Sequence, residues 1–140
     1  MEPEPLAKFH TQVYRNGRII IPKNERDYFG IDQHDIVELI IRKIENGKIV
    51  GRGWFIAQLT VRGVLTIPLG LRKELDISDG DFVEVLLLGF IRIEDVIGTE
   101  GLKIMKALKA NEYRIIGEDD EKRLLSLLAR GAYNILFIRQ

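Results

Sequence analysis

The sequence predicts an α+β fold, mainly β, in which one motif occurs twice and an unrelated segment follows. Three observations predict it. Pro22 and Pro68 stand 46 positions apart, and the same offset lays Gly17 on Gly63, Ile21 on Ile67, Arg26 on Arg72, Ile31 on Ile77 and Asp35 on Asp81 without a gap. Matches of glycine, proline, arginine and aspartate in one ordered frame mark an internal duplication. Each copy alternates short β-branched runs with turn residues, and residues 100–140 repeat neither.

The elements follow in order. A first strand over 8–15 reaches Asn16-Gly17, a strong hairpin signal because a tight I′ turn needs positive φ at both central residues. The return strand, 18–21, ends at Pro22. The fixed φ and missing N–H of proline suit the start of a helix, here 22–29, and Gly30 is placed to end it in the left-handed conformation. A polar turn at 32–35 leads into a β-branched strand, 36–43, and "ENGK" at 45–48 turns into a short return strand. Copy two repeats the plan: a strand to Val61, a turn at Arg62-Gly63, a strand to Ile67, a helix over 68–75, the "SDGD" turn, a strand from Phe82, and a return over 90–93. The boundaries drawn are 8–52 for the first copy, 53–95 for the second and 100–140 for the extension. Neither copy is large enough to bury a core alone, so the two are expected to pack on each other.

The extension reads as a β-α-β-like unit preceded by helical spacing at Leu102, Ile104, Met105 and Leu108. "EYRII" is a strand. "EDDEKRLLSLLARG" is a helix with acids at the positive end of its dipole and Gly131 as terminator. "YNILFI" is a last strand. Its apolar residues need a partner surface, which predicts that 100–140 cap the repeats or mediate self-association.

Composition narrows the function. The chain has 140 residues, 46% hydrophobic and 30% charged, with 21 basic against 21 acidic side chains and no cysteine. Disulfides, thiolate catalysis and the usual structural zinc sites are thereby excluded. The acidic, proline-rich start "MEPEP" is unlike a signal peptide, and the apolar run 82–93 is broken by Glu84, Gly89 and Arg92, so a cytoplasmic protein without membrane contact is expected. His10 and His34 lack metal-ligand spacing, Trp54 reads as core, and the acids at 118–121 are explained by the helix dipole. No serine, lysine or carboxylate pair stands in a catalytic frame. The expectation is no enzyme, no metal and no cofactor.

Charge is unevenly placed. Residues 8–26 carry five basic side chains and one acid, whereas 27–99 carry eight and twelve. A local basic patch of this kind is the footprint of a nucleic-acid contact even at zero net charge.

The order "GRIIIPKNERDYFGIDQHDIVEL", and its copy "GVLTIPLGLRKELDISDGDFVEV", resembles the AbrB/SpoVT/MazE-type swapped-hairpin family over residues 9–93. That resemblance implies a pseudo-dimeric swapped-hairpin β-barrel, two AbrB-like repeats interleaved, whose basic face binds duplex DNA for transcription regulation or as an antitoxin with a toxin partner. Carried over residue by residue, the arginine after the hairpin glycine is Arg18, and the helix arginines are Arg26 and Arg72. With the turn residues Arg15, Asn16 and Arg62 and the helix lysines Lys23 and Lys73, these form the expected DNA-binding set. Arg26 and Arg72 have an equal structural reading, bridging carboxylates such as Asp35 or Asp81. Two departures stand out: Val64 where the family has arginine, and His34 where it has glycine. The rival expectation is a protein-interaction or ligand-sensing module that has lost DNA binding.

Overall fold

The computed structural model describes residues 3–129. The expected final strand "YNILFI" lies outside the described residues. The architecture is α+β and mainly antiparallel β. Strands β1 (Ala7–Gln12), β3 (Ile36–Glu45), β4 (Lys48–Gln58), β6 (Phe82–Ile91) and β7 (Tyr113–Ile116) form one sheet in the order β1-β6-β3-β4-β7, and β2 (Arg18–Ile20) pairs with β5 (Val64–Thr66) as a separate ribbon. Helices α1 (Lys23–Phe29), α2 (Leu69–Glu74), α3 (Gly98–Lys109) and α4 (Glu118–Ala129) complete it. None of these helices is long and apolar enough to cross a membrane.

Pairing crosses between the copies. β1 of the first copy lies antiparallel to β6 of the second, β3 of the first pairs with β6 and with β4, and β2 pairs with β5. The turns repeat across the offset: Val13 N–H donates to Asp81 O (2.7 Å) as Leu59 N–H donates to Asp35 O (2.8 Å). Likewise Gly80 N–H reaches Val13 O (2.6 Å) and His34 N–H reaches Leu59 O (2.9 Å). His34 holds a φ of 74°, doing the work of the glycine that stands at position 80.

Three expectations need correction. Among the described residues the strands do not close into a barrel: β1 and β7 are the sheet edges and the ribbon stands apart. The ribbon strands have three residues each and run into Pro22 and Pro68, which cannot donate to a ladder, so pairing stops there. The "ENGK" turn does join two strands, but its return strand and the first strand of copy two are one continuous β4, so the 52/53 boundary falls inside a strand. The expected return over 90–93 is absent, because β6 runs through to Ile91, and a one-residue bulge opposite Glu38-Leu39 absorbs Leu88.

The sheet is buried on both faces. Val37, Leu39, Ile41, Phe55, Val85 and Leu87 face a core closed by the ribbon residues Ile19 and Leu65 and by Leu71 and Leu75 of the second copy. The alternate residues, Ile36, Ile40, Trp54, Ile56, Leu86 and Leu88, face a second core with Ile104 and Ala107 of α3 and Leu124 and Leu125 of α4. The extension therefore caps the sheet. Period-two alternation in β3 makes this possible, since successive side chains point to opposite faces.

Polar groups fix the extension in place. Arg42 Nε and Nη2 donate to the two oxygens of Glu121 at 2.8 and 2.7 Å, and its Nη1 donates to Glu84 Oε1 at 2.6 Å. Arg52 Nε reaches Glu121 Oε1 at 3.3 Å and His10 Nε2 lies 3.0 Å from Glu84 Oε2. The Glu121 hydrogen bond, opposed by burial and assisted by Glu84, holds the Arg42 guanidinium well above its ordinary pKa, so it stays charged at any pH the protein meets. Trp54 Nε1 donates to buried Glu38 at 2.7 Å, which satisfies both in the core.

Two outcomes follow from this packing. Glu121→Ala leaves Arg42 with one carboxylate in a largely desolvated site and should lower unfolding free energy by about 2–3 kcal/mol, read from the urea midpoint at unchanged m. A change under about 0.5 kcal/mol would mean that apolar contact alone holds the extension. The phenol of Tyr113, on β7, is pushed up from its ordinary 10.0 by desolvation and then by the charge and hydrogen bond of Glu74 on α2. The unfolded chain then loses this proton first, so its contribution is complete below pH 10 and is lost as pH rises through the folded value. Tyr113→Phe should flatten that part of the alkaline stability profile.

Candidate nucleic-acid interface

The ribbon carries the residues singled out in the sequence. Its register is Arg18↔Thr66, Ile19↔Leu65 and Ile20↔Val64. Ile19 and Leu65 are buried inward, while Arg18, Ile20 and Thr66 are exposed. A tight turn precedes each strand, over Arg15–Gly17 and Val61–Gly63. Because the strands are antiparallel, the two turns sit at opposite ends of the ribbon. Ile67 N–H donates to Gly17 O at 2.9 Å and Ile21 N–H to Gly63 O at 3.0 Å, so each tip is tied to the end of the other copy's strand.

Turn chemistry is as the sequence indicates, with left-handed φ at Asn16 (63°) and Gly17 (73°), and at Arg62 (57°) and Gly63 (74°). The strands on either side separate after a single bridge, Tyr14↔Arg18, instead of forming a two-strand hairpin. β1 leaves for β6 and β2 for β5.

Arg26 and Arg72 come from the helices and serve these tips crosswise. Arg26 Nε donates to Ile21 O at 2.9 Å and Arg72 Nε to Ile67 O at 3.0 Å. A Cβ added at Gly63 would overlap the Arg26 side chain, and one at Gly17 would overlap Arg72. Each arginine is thus a seat for the opposite copy's turn. The carboxylate bridges expected for them are absent: Asp35 accepts from Asp32 N–H at 2.8 Å and Asp81 from Ser78 N–H at 2.9 Å, each closing its own turn.

The two ends differ chemically. Arg15, Asn16 and Arg18 gather at tip one, all exposed, and neither arginine makes an ion pair among the described residues. Asp79 bonds that tip, accepting from Asn16 N–H and Gly17 N–H, both at 3.1 Å. The offset puts neutral Gln33 in its place at tip two, where Arg62 stands between exposed Val61 and half-buried Val64. Asp79 escaped the sequence reading. The signal was there, in an acid of "SDGD" that has no counterpart in the first copy. Lys23 is exposed but joined to Asp27 at 2.7 Å, and Lys73 is exposed on α2. The sequence grouped Lys8, Arg15, Arg18, Lys23 and Arg26 as one patch, but Arg26 is delivered to the other end. Among the described residues no cluster of His, Cys, Asp or Glu is placed to hold a metal.

The solution structure of PHS018 from Pyrococcus horikoshii superposes with a TM-score of 0.58 at 45% identity, covering 64% of this chain and 96% of that one. The chain belongs to the PHS018 family. No family model and no curated protein matches it. PHS018 matches a share of the chain close to that of the two repeats together.

If the arginines seat the turns of this PHS018-family fold, Gly17→Ala and Gly63→Ala should each cost about 1–3 kcal/mol through left-handed strain and side-chain overlap. Combining Gly17→Ala with Arg72→Ala should cost clearly less than the sum of the two, whereas Gly17→Ala with Arg26→Ala should be additive. Denaturant unfolding of the three single variants and the two doubles reads both. Additivity in both pairs would refute the crossed seating.

Proposed function

We propose that this protein binds duplex DNA as a transcription regulator, through a swapped-hairpin pseudo-dimer contained in one chain. The observation that carries the reading is the exposed ribbon with Arg15, Asn16 and Arg18 at one end and Arg62 at the other. A rigid, glycine-seated turn presents its arginines to phosphate or to a guanine edge with little motion left to freeze. Arg62 adds support. A left-handed φ of 57° costs an arginine about 1–2 kcal/mol, a strain expected where the side chain is used. Arg26 and Arg72 contribute by holding the tips, and Lys23 and Lys73 act as flanking point charges.

A second reading has its own observation. Asp79 lies against tip one, and Ile20, Val61 and Val64 make the other end apolar, features that suit a protein partner, including a toxin-like one, better than phosphate.

Salt-titrated binding to random duplex DNA separates them. Each phosphate contact adds about 0.9 to the slope of log affinity against log salt, so replacing Arg15 and Arg18 together by alanine should lower the slope by roughly two. Arg62→Ala should remove about one or less, and Asp79→Asn should tighten binding. Wild-type protein with no measurable affinity at low salt would end the DNA reading and leave the protein-partner one.

A further inference from the structure

A cavity of about 510 Å³ opens where the end of α1, the end of β6, the start of α3 and the arm before β1 meet. Its walls are apolar: Leu6, Phe29, Phe90, Ile97, Ile104 and Leu128. The rings of Phe29 and Phe90 lie 6.0 Å apart and tilted, giving one aromatic side. Three charged residues share the lining, one basic and two acidic: Arg92, Asp95 and Glu100. Arg92 is only loosely held. Its Nη1 is 3.8 Å from Asp35, beyond hydrogen-bond range, and 43% of its side chain is exposed. Asp35 itself is buried and bonded within its own turn.

We propose that this cavity binds a free α-amino acid with an apolar or aromatic side chain. An apolar pocket with a few convergent polar groups is the usual form of a small-molecule site. The charges select the class. A purely apolar ligand would engage none of the three, a lone carboxylate would meet two acids against one guanidinium, and a lone amine would meet Arg92. A zwitterion answers both signs, its carboxylate on Arg92 and its ammonium on Asp95 and Glu100, with the side chain between Phe29, Phe90 and Ile104. Charge-assisted pairing of both groups on Cα gives orientation as well as affinity. The inference is independent of DNA binding, since none of these residues belongs to the ribbon.

The test is an NMR titration of the full chain with L-leucine, L-phenylalanine, phenethylamine and 3-phenylpropionate, following the Gly101 amide and the Ile104 methyls. At least one amino acid should give saturable shifts at both probes, and the two singly charged analogues should bind roughly tenfold or more weakly. Arg92→Ala should weaken the amino acid similarly, as should Asp95→Asn with Glu100→Gln. All three residues are exposed, and the same spectra report whether the fold is intact. No saturable shift at Ile104 with either amino acid would overturn the proposal. So would equal affinity for the singly charged analogues, or undiminished binding by folded Arg92→Ala.

Discussion

β3 and β6 are hydrogen-bonded to one another from Ile36↔Ile91 to Lys43↔Val83, and both are buried on both faces. One strand comes from each copy. The other elements build outward from this pair: β1 on the outer edge of β6, β4 on the outer edge of β3 with β7 beyond it, the ribbon over one face, α3 and α4 over the other. Neither copy contains both central strands, so neither can assemble a core from its own residues. The repeat is consequently a unit of sequence and not a unit of folding.

Much of this was legible. The offset of 46 located the pairs that now occupy equivalent positions, and Asn16-Gly17, Pro22 and Gly30 marked the turn, helix start and left-handed cap that the structure contains. Partner choice was not legible. Alternation assigns Val37 and Leu39 to one face and Ile36 and Ile40 to the other, but it does not say which strand lies alongside, and hairpin signals favour the neighbour in sequence. The continuity of β4 was hidden by Gly51 and Gly53, which flank the boundary drawn at 52/53. Both glycines in fact face α2, where Leu75 and Leu71 occupy the space a Cβ would need. At the candidate interface the residue types were readable and their grouping was not, because grouping depends on a helix reaching the far copy's turn.

The arginines of this chain divide by what their donors meet. Arg26 and Arg72 donate Nε to backbone carbonyls, and Arg42 and Arg52 donate to carboxylates between sheet and extension. Arg15, Arg18 and Arg62 project from turns that the first pair seats. A net charge of zero conceals this division, since the half-buried Arg42 and Arg52 are matched by Glu84 and Glu121 while the exposed arginines at tip one make no ion pair among the described residues. Buried pairs of this kind contribute orientation more dependably than net stability.

The crossing of strands also sets an order in time. β3 and β4 meet across Asn46-Gly47 and can pair as soon as both have left the ribosome. β1 must wait until β6, some seventy residues later, has been synthesised, and until then its apolar residues Ala7 and Phe9 have no strand to lie on. The early hairpin would itself expose two unfinished edges, one awaiting β6 and the other β7. In a nascent chain the first repeat is thus a partly built sheet held open for its own duplicate, and the interval before the duplicate arrives is when this protein is most exposed to pairing with the wrong strand.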